Sequence, residues 1–125
     1  MNTSGRNRLA NTKNPFQGDM KKVLAVCSAG LLRSPTIAWI LSNPPFNFNT
    51  RACGANSEYA LIPIDDALIL WADEIVVVES WMAQEILHHN PDKKVHLVAT
   101  PDNYSTRDPE LVEHLTPLLK EIFKK

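Results

Sequence analysis

Four short apolar runs, each followed by a helical pattern, constrain the fold of this chain more than any other feature. The runs are Lys22–Val26 (KVLAV), Asn49–Cys53 (weaker in pattern and ended by Gly54), Glu74–Val78 (EIVVV) and Lys94–Val98 (KVHLV). The third is β-branched and continuous, as expected of a strand buried on both faces. Ser34–Leu41 (SPTIAWIL) reads as the first helix, with Ser34 as its cap and Pro35 at its first position, before Asn43-Pro44-Pro45 stops it. Ile64–Trp71 follows the second run with Asp65 and Asp66 in its first turn, where the helix dipole favours carboxylates. Ser80 is a cap for Trp81–His88, which Asn90-Pro91 ends, and Asp108–Phe123 closes the chain after a polar loop over Ala99–Arg107. Strands separated by helices predict an α/β fold: a single domain with a central four-stranded parallel sheet, helices on both faces and right-handed crossovers. Ligands in such sheets bind beyond the carboxyl ends of the strands, which directs attention to the loops after Val26, Cys53, Val78 and Val98.

With 125 residues, 44% of them hydrophobic, the chain has material for one core. No apolar run approaches the roughly 18 residues a membrane span needs. The first residues lack the apolar stretch of a secretory signal, and two cysteines are too few for a disulfide scaffold. A cytoplasmic protein is expected. The net charge of -1 conceals an asymmetry. Residues 1–22 carry Arg6, Arg8, Lys13, Lys21 and Lys22 against Asp19, a net +4, so the remaining chain is acidic at −5. A basic segment of this kind can touch nucleic acid. Residues 1–19 are nevertheless too poor in apolar side chains to fold, and are expected to be a disordered or loosely ordered extension of a domain spanning 20–125. That leaves nucleic acid outside the expected partners.

The loop after the first strand carries the chemistry. Cys27-Ser28-Ala29-Gly30-Leu31-Leu32-Arg33-Ser34 places a thiol, five residues, an arginine and a hydroxyl between a strand and a helix. A loop wrapping into a helix N-terminus turns its backbone N–H groups inward as an anion nest, which favours a thiolate over a thiol. Arg33 offers a planar fork to two phosphoryl oxygens, and Ser34 can donate to the sulfur when it departs. Small residues at Ser28, Ala29 and Gly30 admit an anion close to the backbone, and Gly30 is the natural site of a positive φ. The bland alternative, an inert cysteine closing a strand, explains neither Arg33 nor the helix that follows.

With these residues the chain resembles the low-molecular-weight protein-tyrosine phosphatases. VLAVCSAGLLRSPTIAWIL is similar to that family's first strand, phosphate loop and first helix. RACGA, WADEIVVVESWMAQEI and TPDNYSTRDPELVEHL extend the likeness over residues 20–125. The resemblance implies hydrolysis of phosphomonoesters, phosphotyrosine above all, through a cysteinyl-phosphate intermediate and without metal or other cofactor. It implies a phosphorylated protein or small phosphomonoester as partner, held by residues 28–33, and no membrane; the oligomeric state stays open. Gly30 stands where the family usually has asparagine, and both residues tolerate the left-handed conformation. Leu32 stands where many members have a second loop cysteine, so no disulfide can form inside the loop. Pro101-Asp102-Asn103-Tyr104 replaces the family's Asp-Pro-Tyr-Tyr, with Asp108-Pro109 further on. The stretch between Cys53 and Ile64 is short, which leaves the pocket walls open.

Departure of an aryl or alkyl oxygen needs a proton donor from another loop at the same edge. Asp102 follows the fourth strand closely, and Tyr104 beside it can stack on a substrate ring. Asp108 is the alternative acid, although it also fits an N-cap ahead of Pro109 and Glu110. Cys53 suits a core cysteine better than a resolving thiol. His88, His89, His96 and His114 do not form a metal-ligand spacing, and Trp39, Trp71 and Trp81 fit core positions on helices. Two other functions share the loop. A thiol-dependent arsenate reductase relays a disulfide through further cysteines, of which only Cys53 is left. A module that binds a phosphorylated partner without turnover needs no acid at all.

Overall fold

A computed structural model describes residues 20–28, 33–55, 63–100 and 108–124. Strands β1 (Lys22–Cys27), β2 (Asn49–Gly54), β3 (Glu74–Val77) and β4 (Lys94–Leu97) alternate with helices α1 (Arg33–Ser42), α2 (Asp66–Trp71), α3 (Ser80–His89) and α4 (Pro109–Phe123). The strands pair in the order β2-β1-β3-β4, all parallel. Val26 lies between Cys53 on one side and Val77 on the other, and Val77 in turn faces Leu97. The expected segment 1–19 lies outside the described residues.

From β1 the chain moves outward to β2, then returns across β1 to β3 and continues to β4. Right-handed crossovers therefore put α1 on one face and α2 and α3 on the other. In agreement, α1 packs on β1, β2 and α4, whereas α3 packs on β3 and β4. The change of direction between β1 and β3 opens a crevice at their carboxyl ends, where such sheets bind ligands. β1 and β3 are buried along nearly their whole length, with Val23, Leu24, Val26, Ile75, Val76 and Val77 fully enclosed. β4 is an outer strand, and its Leu97 is exposed.

Several local readings shift by a residue or two. Asp65 is the N-cap of α2 rather than part of its first turn, accepting from Leu68 N at 2.9 Å. Ser80 is not the cap of α3: Glu79 holds that position, without a side-chain cap bond. Asp108 caps α4 by accepting from Glu110 N at 2.9 Å, with Pro109 as the first helical residue. Trp39 and Trp81 are exposed rather than core. Ile37 and Leu41 form the inward stripe of α1, as Met82 and Ile86 do in α3, and the tryptophans project off those stripes. Trp71 packs against the core and carries the Arg51 guanidinium 4.3 Å above its ring.

At the amino edge, Glu74 is buried and gathers Lys21, Lys94 and His96, the last with Nε2 at 2.7 Å. Burial by itself would raise the Glu74 pKa. Hydrogen bonds from Lys21 and His96, with the charges of Lys21 and Lys94, outweigh it and hold the carboxyl below its ordinary value. Phe123 at the end of α4 packs edge-on against Phe48, 5.0 Å between centroids, and against His96 at 5.5 Å, closing the sheet beneath this cluster.

Candidate active site

All four carboxyl ends of the sheet contribute to one cluster. β1 ends at Cys27, whose thiol is 2% exposed as a residue, and α1 begins at Arg33. The Cys27 Sγ lies 3.2 Å from Ser34 Oγ, and Ser34 Oγ donates to the Cys53 carbonyl at 3.2 Å. Because α1 starts at Arg33, Ser34 lies inside the helix and is not its cap; the hydroxyl is turned to the sulfur and to the end of β2 instead. Pro35 still falls in the first turn, where its missing N–H costs the helix nothing.

Arg33 is 3% exposed. Its Nη1 donates to the Thr100 carbonyl at 2.8 Å, and its Nη2 lies 3.3 Å from Ser28 Oγ and 3.4 Å from Glu79 Oε2. Thr100 reaches the arginine because the chain beyond β4 stays bonded to the end of β3: Val98 N donates to Val77 O at 2.8 Å and Thr100 N to Val78 O at 3.3 Å. A guanidinium gripped at both terminal nitrogens has its plane fixed, the arrangement a bidentate oxyanion ligand requires. Beyond β2, Ala55 N donates to the Cys27 carbonyl at 2.7 Å, so the backbone leading into the loop is tied down as well.

Both cysteines are buried thiols, not joined in a disulfide. Cys53 stands opposite Val26, one position out of step with Cys27, so side-chain alternation directs them to opposite faces. Cys53 belongs to the core cluster, as expected for it. His88 and His89 lie in the last turn of α3, His96 is bound to Glu74, and His114 Nε2 is 3.4 Å from the Ala99 carbonyl.

The structure thus joins Cys27, Ser28, Arg33 and Ser34, all drawn from the loop motif. Ala29, Gly30, Leu31 and Leu32, and likewise Asp102 and Tyr104, lie outside the described residues. Asp108 has its carboxylate on the first turn of α4. Two contributors escape the sequence reading. Glu79 follows β3 at the expected edge, so its position was available, but nothing local marks it as a partner of an arginine 46 residues away. The Thr100 carbonyl is a backbone group, and no side-chain pattern announces it.

No protein-family model and no curated protein matches the sequence. Among solved structures, the chain is similar to the YwlE arginine phosphatase from Geobacillus stearothermophilus, with a TM-score of 0.60 over 83% of this chain and 94% of that one. The identity is 16%, so the likeness speaks for the fold alone. That shared fold is an α/β domain with four parallel strands between helical layers.

Proposed function

We propose that the chain is a cysteine-dependent phosphatase acting on phosphomonoesters, with phosphotyrosine as the substrate class and a cysteinyl-phosphate intermediate. The observation that carries this reading is the 3.2 Å approach of Cys27 Sγ to Ser34 Oγ, beside an Arg33 fixed at both terminal nitrogens. In the first step the Cys27 thiolate attacks phosphorus: the S–P bond forms, the bond to the leaving oxygen breaks, and Asp102 protonates that oxygen. In the second step water attacks phosphorus and gives its proton to the Asp102 carboxylate. The S–P bond breaks, and the departing thiolate is stabilised by the Ser34 hydroxyl. Arg33 and the amides of residues 28–33 hold the equatorial oxygens, so preorganised electrostatics supplies most of the acceleration. Tyr104 stacks on the substrate ring. The same reading places the activity in domain 20–125, in the cytoplasm, with a phosphorylated protein or small phosphomonoester as partner.

Hydrolysis of p-nitrophenyl phosphate in the presence of a chelator, inhibited by vanadate and absent in Cys27→Ser, is the expected result. Retained turnover in that variant would refute the nucleophile. Because the structurally similar protein is an arginine phosphatase, phosphotyrosine and phosphoarginine peptides belong in one panel. Preference for phosphoarginine overturns the substrate class while leaving the thiol chemistry in place.

A further inference from the structure

Glu79 occupies a position that helix chemistry does not explain. It is the N-cap of α3, a site that favours Ser, Thr, Asp or Asn, and it makes no side-chain cap bond. A serine stands immediately after it, one residue too late to cap. The Glu79 carboxylate instead leaves its own helix and meets Arg33 Nη2 at 3.4 Å. Its partner is a nearly enclosed cation, whereas the Glu79 side chain is 43% exposed. A buried charge needs a counter-charge and hydrogen-bond acceptors to hold one orientation.

We infer that Glu79 is a positioning residue for Arg33: by accepting from Nη2 it sets the rotation of the guanidinium and so the aim of its fork at an oxyanion. The Thr100 carbonyl holds one terminal nitrogen from the end of β4, and Glu79, together with Ser28 Oγ at 3.3 Å, holds the other, supplying its charged acceptor from the end of β3. The arginine of one loop is thereby aligned by two others across the crevice. This rests on the phosphatase reading for what Arg33 receives, but the alignment itself belongs to the ligand-free protein.

The test uses Glu79→Ser, which removes the acceptor from Arg33 and supplies a better helix cap. A residue that only supports the fold predicts no gain in stability from this change. The expected outcome is a melting temperature held or raised, kcat/KM for p-nitrophenyl phosphate lowered roughly tenfold by the misaimed fork, and a parallel loss of tungstate affinity by calorimetry. Glu79→Gln, whose amide oxygen still accepts from Nη2, is expected to recover most of both. A Glu79→Ser protein that fails to fold, one with wild-type kcat/KM and tungstate affinity, or a Glu79→Gln protein as impaired as Glu79→Ser would each overturn the proposal. A wild-type protein that binds tungstate but hydrolyses no aryl phosphate overturns the phosphatase reading instead, and tungstate affinity then decides the role of Glu79. Absence of tungstate binding in the wild type overturns both.

Discussion

Cys27 stands opposite Gly54 across the β1–β2 ladder, so the residue beside the thiol on that face has no side chain. Gly54 is buried and bonded through its carbonyl to Ile64 N at 2.9 Å, which leaves little room for one. Gly54→Val is expected to destabilise the fold by roughly 1–3 kcal/mol through overpacking, read as a lower urea midpoint. An unchanged midpoint would show that the space beside Cys27 is looser than this register implies.

Ser34 is fully buried and links the sulfur to the Cys53 carbonyl. Ser34→Ala leaves that carbonyl without the hydroxyl and is expected to lower stability by about 1–3 kcal/mol. Its effect on turnover should fall on the second step, where the thiolate departs. Pre-steady-state measurements with an aryl phosphate are expected to show a burst of phenol followed by a slowed steady rate. Slowing of the burst alone would assign the hydroxyl to attack instead.

Asp102 and Asp108 separate by substitution. Asp108→Ala removes the cap of α4 and is expected to cost about 1 kcal/mol of stability with little change in kcat. Asp102→Asn is expected to lower kcat by roughly a hundredfold or more, most for poor leaving groups, with stability unchanged. The reverse ranking of the two activities would make Asp108 the acid.

Glu74 links stability to pH. Its carboxyl is held below the ordinary value in the folded chain, where burial is outweighed by Lys21, His96 and Lys94. Such a group binds its proton more readily unfolded than folded. Its contribution is therefore complete above the ordinary carboxylate range and is lost as pH falls through the depressed value. Urea midpoints measured from pH 7 downward are expected to fall in acid for the wild type and to fall less steeply for Glu74→Gln. Parallel curves would show that other carboxylates govern the acid limb.

The order of strands and helices and the loop motif are written in local residue patterns. β-branched runs, the capping aspartate at 108 and the Cys27-to-Ser34 spacing are local, so they were legible along the chain, whereas Asp65 read as a first-turn residue and proved to be a cap. Tertiary structure decided the strand order and the fate of the side chains that meet across it. Ser34 read both as a helix cap and as a donor to the sulfur; in the fold it lies inside the helix, and its hydroxyl sits between the Cys27 sulfur and the Cys53 carbonyl, a partner from another strand. Arg33 was legible as a fork, but its anchors at Glu79 and Thr100 arrive from two other strands. The physical reason is sequence distance: local backbone preference sets a helix start, whereas a buried cation takes its acceptors from whichever loops the crossovers bring to the same edge.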